Sequence, residues 1–155
     1  ILLLQGDEPQ IFPDDIKNLS DAFCGSEFEI VNLVYSIDGD DLGNPNVVKA
    51  IMSNTSKISF FTRTHVPNRS DNTMRQLGMI GFTLAALTQY TNLQPTPIEE
   101  LESIDMMRLL ENDYEINAVI SSSPILGVDN PEDIAKAELM MTKDLLLETY
   151  QDKYL

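Results

Sequence analysis

The sequence predicts an α/β domain built on a mainly parallel sheet, and three observations carry that expectation. The chain has 155 residues, 43% of them apolar, enough for one ordinary core. Along it, β-rich runs alternate with helical patterns, the order that builds α/β folds. It opens on Ile1-Leu2-Leu3-Leu4, a continuous apolar run of the kind that marks a strand buried on both faces of a parallel sheet.

The elements follow in order. Residues 1–5 read as that first strand, entered without a preceding turn, so the chain is expected to be part of a longer protein. Pro13 stands at a first helical position, with Asp14 and Asp15 in the first turn and Ile16, Leu19 and Phe23 at helical spacing, which predicts a helix over 13–24. Residues 28–36 are β-rich, 36–45 form a Gly/Asp/Asn loop, and 46–53 are a candidate strand. Lys57 to Arg63 and residues 76–83 read as two strands joined by a polar loop from Pro67 to Thr73. The section 57–83 is therefore expected to form a hairpin-like arm inserted in the domain, suited to packing against a second subunit. A short helix is expected over 84–91. Thr96-Pro97-Ile98-Glu99 is a capping box opening a helix to about 112, residues 115–121 form a strand, and Asn130-Pro131-Glu132-Asp133 opens a last helix to about 148.

Composition narrows the function. The net charge of −15 disfavours nucleic acid and anionic membrane as partners. No apolar run approaches the roughly 20 residues that span a bilayer. Cys24 and His65 are the only cysteine and histidine, which leaves little room for triad chemistry or a typical zinc site. Cys24 reads as a half-buried thiol near a helix end, and a cytoplasmic protein fits best. The charge is uneven: residues 49–75 hold Lys49, Lys57, Arg63, Arg69, Arg75 and His65 against one acid, Asp71. Such a stretch can hold an anionic small ligand, or can simply be a solvated basic surface.

Two aspartates carry the chemical signal. Gln5-Gly6-Asp7-Glu8-Pro9 places a carboxylate directly after a strand, and open α/β sheets gather ligands at their strands' carboxyl ends. Gly127-Val128-Asp129-Asn130-Pro131 places another just ahead of a helix start. Each alone is also an ordinary turn or cap; together they make a pair that could hold magnesium, which is commonly bound by one or two carboxylates plus phosphate oxygens and water. In the 97–112 helix, Ile98, Leu101, Ile104 and Met107 should face the core, with Asp105 and Arg108 within pairing reach on a neighbouring stripe. Asp38 to Gly43 hints at a calcium loop, but Lys49 occupies the position that needs a bidentate Glu, so it reads as a surface turn.

Taken in order, these motifs resemble one family, the CMP-Kdo synthetases (3-deoxy-manno-octulosonate cytidylyltransferases). Gln5-Gly6-Asp7-Glu8-Pro9, Asn44 to Lys49, Phe61-Thr62-Arg63 with Val66-Pro67, Leu77-Gly78 with Gly81-Phe82, Gln94 to Glu99, and Gly127 to Asp133 each match a family segment, from residue 1 to about 138. The resemblance implies the C-terminal part of a nucleotide-diphospho-sugar transferase domain, homodimeric through 57–83 and the helix after Gln94. It implies transfer of a cytidylyl group from CTP to a Kdo-like sugar acid, giving CMP-sugar and pyrophosphate, with magnesium as cofactor. Asp7 and Asp129 become the expected catalytic and metal-binding residues, and Gln5, Arg63, Gln76 and Asp105 the expected substrate-binding ones.

Two departures from the family matter. Its Arg-rich, Gly-containing CTP-phosphate segment is not in the chain, so the chain alone is expected to bind CTP poorly and not to turn over. At sugar-contact positions, its His is Gln76, its Tyr is Ile80, and its Glu-Gln pair is Asp105-Met106. A site built for hydroxyls discriminates strongly when their partners are lost, so an amino-substituted Kdo is an alternative substrate. A non-catalytic binding or assembly subunit is a second alternative.

Overall fold

The computed structural model describes residues 1–24, 26–66, 71–128, 130–144 and 146–147. Six strands form one sheet in the order β1-β5-β2-β6-β4-β3, with β3 also pairing with β5. They are β1 (Leu2–Leu4), β2 (Ile30–Ser36), β3 (Lys49–Met52), β4 (Lys57–Thr62), β5 (Thr73–Phe82) and β6 (Ile116–Ile120). Because β3 touches both β4 and β5, the ladder β5-β2-β6-β4-β3 closes on itself like a small, distorted barrel.

The mixed α/β class is as expected, but the sheet is not mainly parallel. Among the described residues only β2 and β6 run parallel; the other five pairings are antiparallel. The reason lies in the connections. Parallel neighbours need a long crossover, whereas a four-residue turn (53–56), with Ser56 at φ 59°, lets β3 and β4 pair antiparallel. Nor do residues 57–83 form a detached arm. β4 and β5 pair not with each other but each with β3, and β5 runs through the sheet between β1 and β2. The opening run is likewise an antiparallel edge strand on β5, with Leu3 and Leu4 45% and 41% exposed. Among the described residues β5 is its only strand neighbour, so three apolar side chains in a row reflect no two-sided burial here.

Helices cover both faces. Helix α1 (Pro13–Cys24) forms over its expected span and packs Leu19 against Val31, Leu33, Leu77 and Met79. Gly81 allows this approach: a Cβ there would lie 2.6 Å from the Phe23 ring and 2.7 Å from Val31. Cys24, at the end of α1, is exposed rather than half-buried. On the opposite face lie α2 (Leu84–Asn92), α3 (Pro97–Glu102) and α4 (Met107–Glu111). Ile104, Met107 and Leu109 there meet Phe61, Ile80 and Phe82 in the larger core.

The expected single helix over 97–112 is thus two. Ser103 takes the left-handed conformation, φ 55°, and caps α3. The chain turns there, so the three-residue apolar repeat does not follow one face: Ile104 and Met107 are buried, but Leu101 is 80% exposed. Arg108 accordingly pairs not with Asp105 but with Glu99, Nε to Oε2 at 2.8 Å and Nη2 to Oε1 at 2.5 Å. Helix α5 (Pro131–Met141) starts at its expected cap, where Asn130 N donates to Asp133 Oδ2 at 3.1 Å, and ends earlier than expected.

Candidate functional site

The segment after β1 is held by hydrogen bonds to the backbone of Gly78 on β5. Gln5 N donates to Gly78 O at 3.0 Å, and Gly78 N donates to Glu8 Oε1 at 2.8 Å. Both backbone groups of Gly78 are thereby taken up by residues 5–8. The glycine also makes room: a Cβ there would stand 2.8 Å from the Gln5 Cβ. From the far end of the chain, Val128 N donates to Asp7 O at 2.8 Å. The loop of the second motif is therefore stitched directly to the first. Asp129 itself lies outside the described residues.

A cavity of about 470 Å³ opens beside this junction. Gln5 and Asp7 line one end, with Gly127 next to them; Arg63 and Gln76 line the strand side, and Asp105 the turn between α3 and α4. Every described residue in the expected site thus shares one cavity, although they come from four separate segments. A second, more apolar hollow of about 740 Å³ lies between residues 9–15, 122–124 and the end of α5 with the residues after it (Met140, Lys143, Asp144 and Leu146), and none of the expected residues lines it.

The cationic side rests on β4 and β5. Arg63 follows β4; its Nη1 donates to Pro45 O at 3.2 Å and Asn46 O at 3.3 Å, and its backbone N donates to Glu102 Oε2 at 2.8 Å. With one nitrogen held by carbonyls, the planar fork keeps other N–H groups for a carboxylate. Arg75 also lines the cavity and pairs at 3.5 Å with Asp41, inside the turn that resembled a calcium loop. Burial raises the Asp41 pKa, and the Arg75 guanidinium opposes that rise. Lys49, from the basic stretch, does not reach the cavity as a solvated cation; it is wholly buried.

Gln76 is positioned from below. Its Nε2 donates to Asn32 Oδ1 at 2.7 Å, while Asn32 Nδ2 donates to Leu77 O at 2.9 Å and Leu33 O at 3.0 Å. Asn32 sits where the register of β2 against β5 shifts, and its amide satisfies carbonyls that the shift leaves over. The other two departures do not belong to the cavity: Ile80 and Met106 are each 1% exposed, in the core. Glu99 lines the cavity, but both its oxygens are engaged by Arg108, whose hydrogen bonds hold the Glu99 pKa below the usual carboxylate range.

Sequence reasoning missed Arg75, Asn46 and Asn32. The basic stretch did contain Arg75, without a signal to single it out. Asn32 lies inside an apolar strand, and only the register shift explains it. As for a metal, no group of three or more His, Cys, Asp or Glu is assembled for one among the described residues. An exposed carboxylate at a strand's end, as at Asp7, instead fits a hard cation completed by a second carboxylate, ligand oxygens and water. Among the described residues no helix is long and apolar enough to cross a membrane.

Comparison with known proteins adds three findings. A family model described as cytidylyltransferase matches residues 1–118. The chain is 31% identical over 147 residues to the 3-deoxy-manno-octulosonate cytidylyltransferase of Rickettsia bellii, covering 95% of this chain and 60% of that one. Its counterpart in Haemophilus influenzae is 29% identical over 161 residues, covering 93% and 63%. The fold matches a solved CMP:2-keto-3-deoxy-manno-octonic acid synthetase complexed with CTP, with a TM-score of 0.81 and 23% identity over 93% of this chain and 62% of that one. The chain spans about 60% of the length of the curated relatives it matches.

Proposed function

The chain belongs to the cytidylyltransferase family, and on that premise we propose that the protein containing it transfers a cytidylyl group from CTP to a Kdo-type sugar acid, giving CMP-sugar and pyrophosphate for lipopolysaccharide biosynthesis in the cytoplasm. The observation that carries the proposal is the single cavity shared by Gln5, Asp7, Arg63, Gln76 and Asp105, with Gly127 at its edge.

In this reading Arg63, seconded by Arg75, receives the carboxylate of the sugar acid. Gln5, Gln76 and Asp105 take its hydroxyls and orient the anomeric hydroxyl toward the α-phosphorus of CTP, from which pyrophosphate leaves. Asp7 and Asp129 are the proposed magnesium ligands; the bound ion would supply charge neutralisation at the transferred phosphoryl group. The remaining contribution is positioning and electrostatics rather than a covalent nucleophile, which suits a cavity lined by neither His nor Cys. The assay is the full-length gene product with CTP, magnesium and Kdo. CMP-Kdo and pyrophosphate are expected, and no CMP-sugar from any ulosonic acid would overturn the proposal. A homodimer belongs to the same proposal, and light scattering at twice the chain mass is its expected signature.

A specific observation favours a second substrate. The cavity that holds Gln76 is also lined by the carboxylates of Asp105 and Glu100, and carboxylate oxygens suit an ammonium better than a hydroxyl. An amino-substituted Kdo would then show the higher kcat/KM of the two acids. The assembly-subunit alternative loses two of the features behind it, since Ile80 and Met106 are core residues. Calorimetry with sugar acid and magnesium, showing dimerisation without binding, would restore it.

A further inference from the structure

Lys49 has no exposed surface, yet no carboxylate lies within ion-pair distance of its ammonium among the described residues. Its Nζ donates instead to three main-chain carbonyls: Asn44 O at 2.9 Å, Val47 O at 2.9 Å and Arg63 O at 2.8 Å. Three donors meet three acceptors, which is all a lysine can offer. Taking an ammonium out of water is costly, and burial, helped by the nearby Arg63 charge, lowers the Lys49 pKa. An apolar side chain would fill the same space without that cost.

What the ammonium does that an apolar chain cannot is tie two segments together. Asn44 and Val47 belong to the loop that enters β3, and Arg63 is the residue that leaves β4. These two segments present Asn46 and Arg63 to the cavity. Arg63 returns the link, its Nη1 reaching the carbonyls of Pro45 and Asn46 in the same loop. In the sheet, Lys49 also stands opposite Thr62 on β4 and opposite Arg75 on β5, so it sits between the strands that carry both cavity guanidiniums.

We propose that Lys49 is a positioning residue for the anion-binding side of the cavity: touching no substrate, it holds Arg63 and Asn46 where a sugar-acid carboxylate is received. Its effect on substrate rests on the reading of the cavity given above; the positioning itself does not.

The test uses the full-length protein with Lys49→Met, which keeps the stem and removes all three donors. Lys49→Arg is the second variant, keeping the charge in a planar fork that cannot aim three bonds around one nitrogen. Amide exchange should quicken about tenfold at Val47 and Arg63 while β2 and β6 keep their protection. The KM for the sugar acid should rise about tenfold, with kcat and the KM for CTP within about threefold. In an Arg63→Ala background the same change should add nothing further to KM. Unchanged exchange, or a parallel loss for both substrates, overturns the proposal, as does additivity with Arg63→Ala. If the wild type uses no ulosonic acid, the reading of the cavity fails, and faster or unchanged exchange at Val47 and Arg63 still decides for or against the positioning role.

Discussion

The two ends of the cavity are built by different means. At the acidic end, Asp7 is exposed, and its segment is located by main-chain bonds to Gly78 and Val128. At the cationic end, Arg63 is braced from below by the buried Lys49 ammonium and from the side by Glu102. The difference follows from what each end is proposed to bind. A metal ion draws flexible carboxylates to itself, so placing the backbone is enough. A carboxylate recognised by a planar fork needs that fork oriented beforehand, and orientation requires surrounding structure. Substitutions at the acidic end should therefore change activity alone, and those at the cationic end should also alter the fold around them.

The largest expected effect tests the acidic end. In the full-length protein Asp7→Asn and Asp129→Asn should each reduce kcat/KM by about a thousandfold, on the order of the several kcal/mol a catalytic metal supplies. For Asp7→Asn the melting temperature should stay within about 2 °C, because the change leaves the main-chain bonds of residues 5–7 in place. A melting point that falls with activity would erase the contrast between the two ends.

Next is Arg63→Ala at the cationic end. Loss of a charge-assisted bond is worth about 1.5–3 kcal/mol, so the KM for the sugar acid should rise roughly 10- to 100-fold, with little change in the KM for CTP. Exchange should also quicken at Asn46 and Val47, since the Nη1 bonds to that loop are lost.

The smallest effect lies away from both ends and serves as their control. Asp15 in α1 is 1% exposed; its Oδ2 accepts from Ser121 Oγ at 2.9 Å, and its Oδ1 has no hydrogen-bond partner among the described residues. Burial raises its pKa, against the Ser121 hydrogen bond. The folded state thus holds that proton more tightly than the unfolded chain, whose aspartate titrates at about 3.9. Stability from this group is greatest in acid and is lost as pH rises through the folded value. Asp15→Asn should therefore be more stable than the parent at neutral pH, lose that advantage in acid, and leave turnover unchanged. Denaturant melts at both pH values check it.

Local signals were readable in the sequence, and long-range ones were not. Pro13 with two acids marked α1 to the residue, and the caps at Thr96 and Asn130 marked two more helix starts, because those cues act within one turn. Strand direction is decided by partners far along the chain, and Ile1-Leu2-Leu3-Leu4 carries the same pattern whether it is buried or on an edge. The break at Ser103 left no trace, since the left-handed position holds no glycine or asparagine. In the cavity, motif resemblance brought together Gln5, Asp7, Arg63, Gln76 and Asp105, all of which line it. The same resemblance placed Ile80 and Met106 in the sugar pocket, where the register of β5 and the turn at 103–106 put them in the core instead. Neither alternative for the basic stretch, an anion site or a solvated surface, foresees a buried Lys49, because composition cannot report three carbonyls converging on one nitrogen.

The central claim is that residues 5–8 and the loop beginning at Gly127 form one metal site. Manganese, as a paramagnetic stand-in for magnesium, tests it directly in the full-length protein with CTP, by broadening of amide NMR signals. Substoichiometric manganese should broaden Gly6, Glu8, Gly127 and Val128 together, and Asp7→Asn should abolish all four effects at once. Broadening of one segment without the other, or broadening that survives Asp7→Asn, would contradict it.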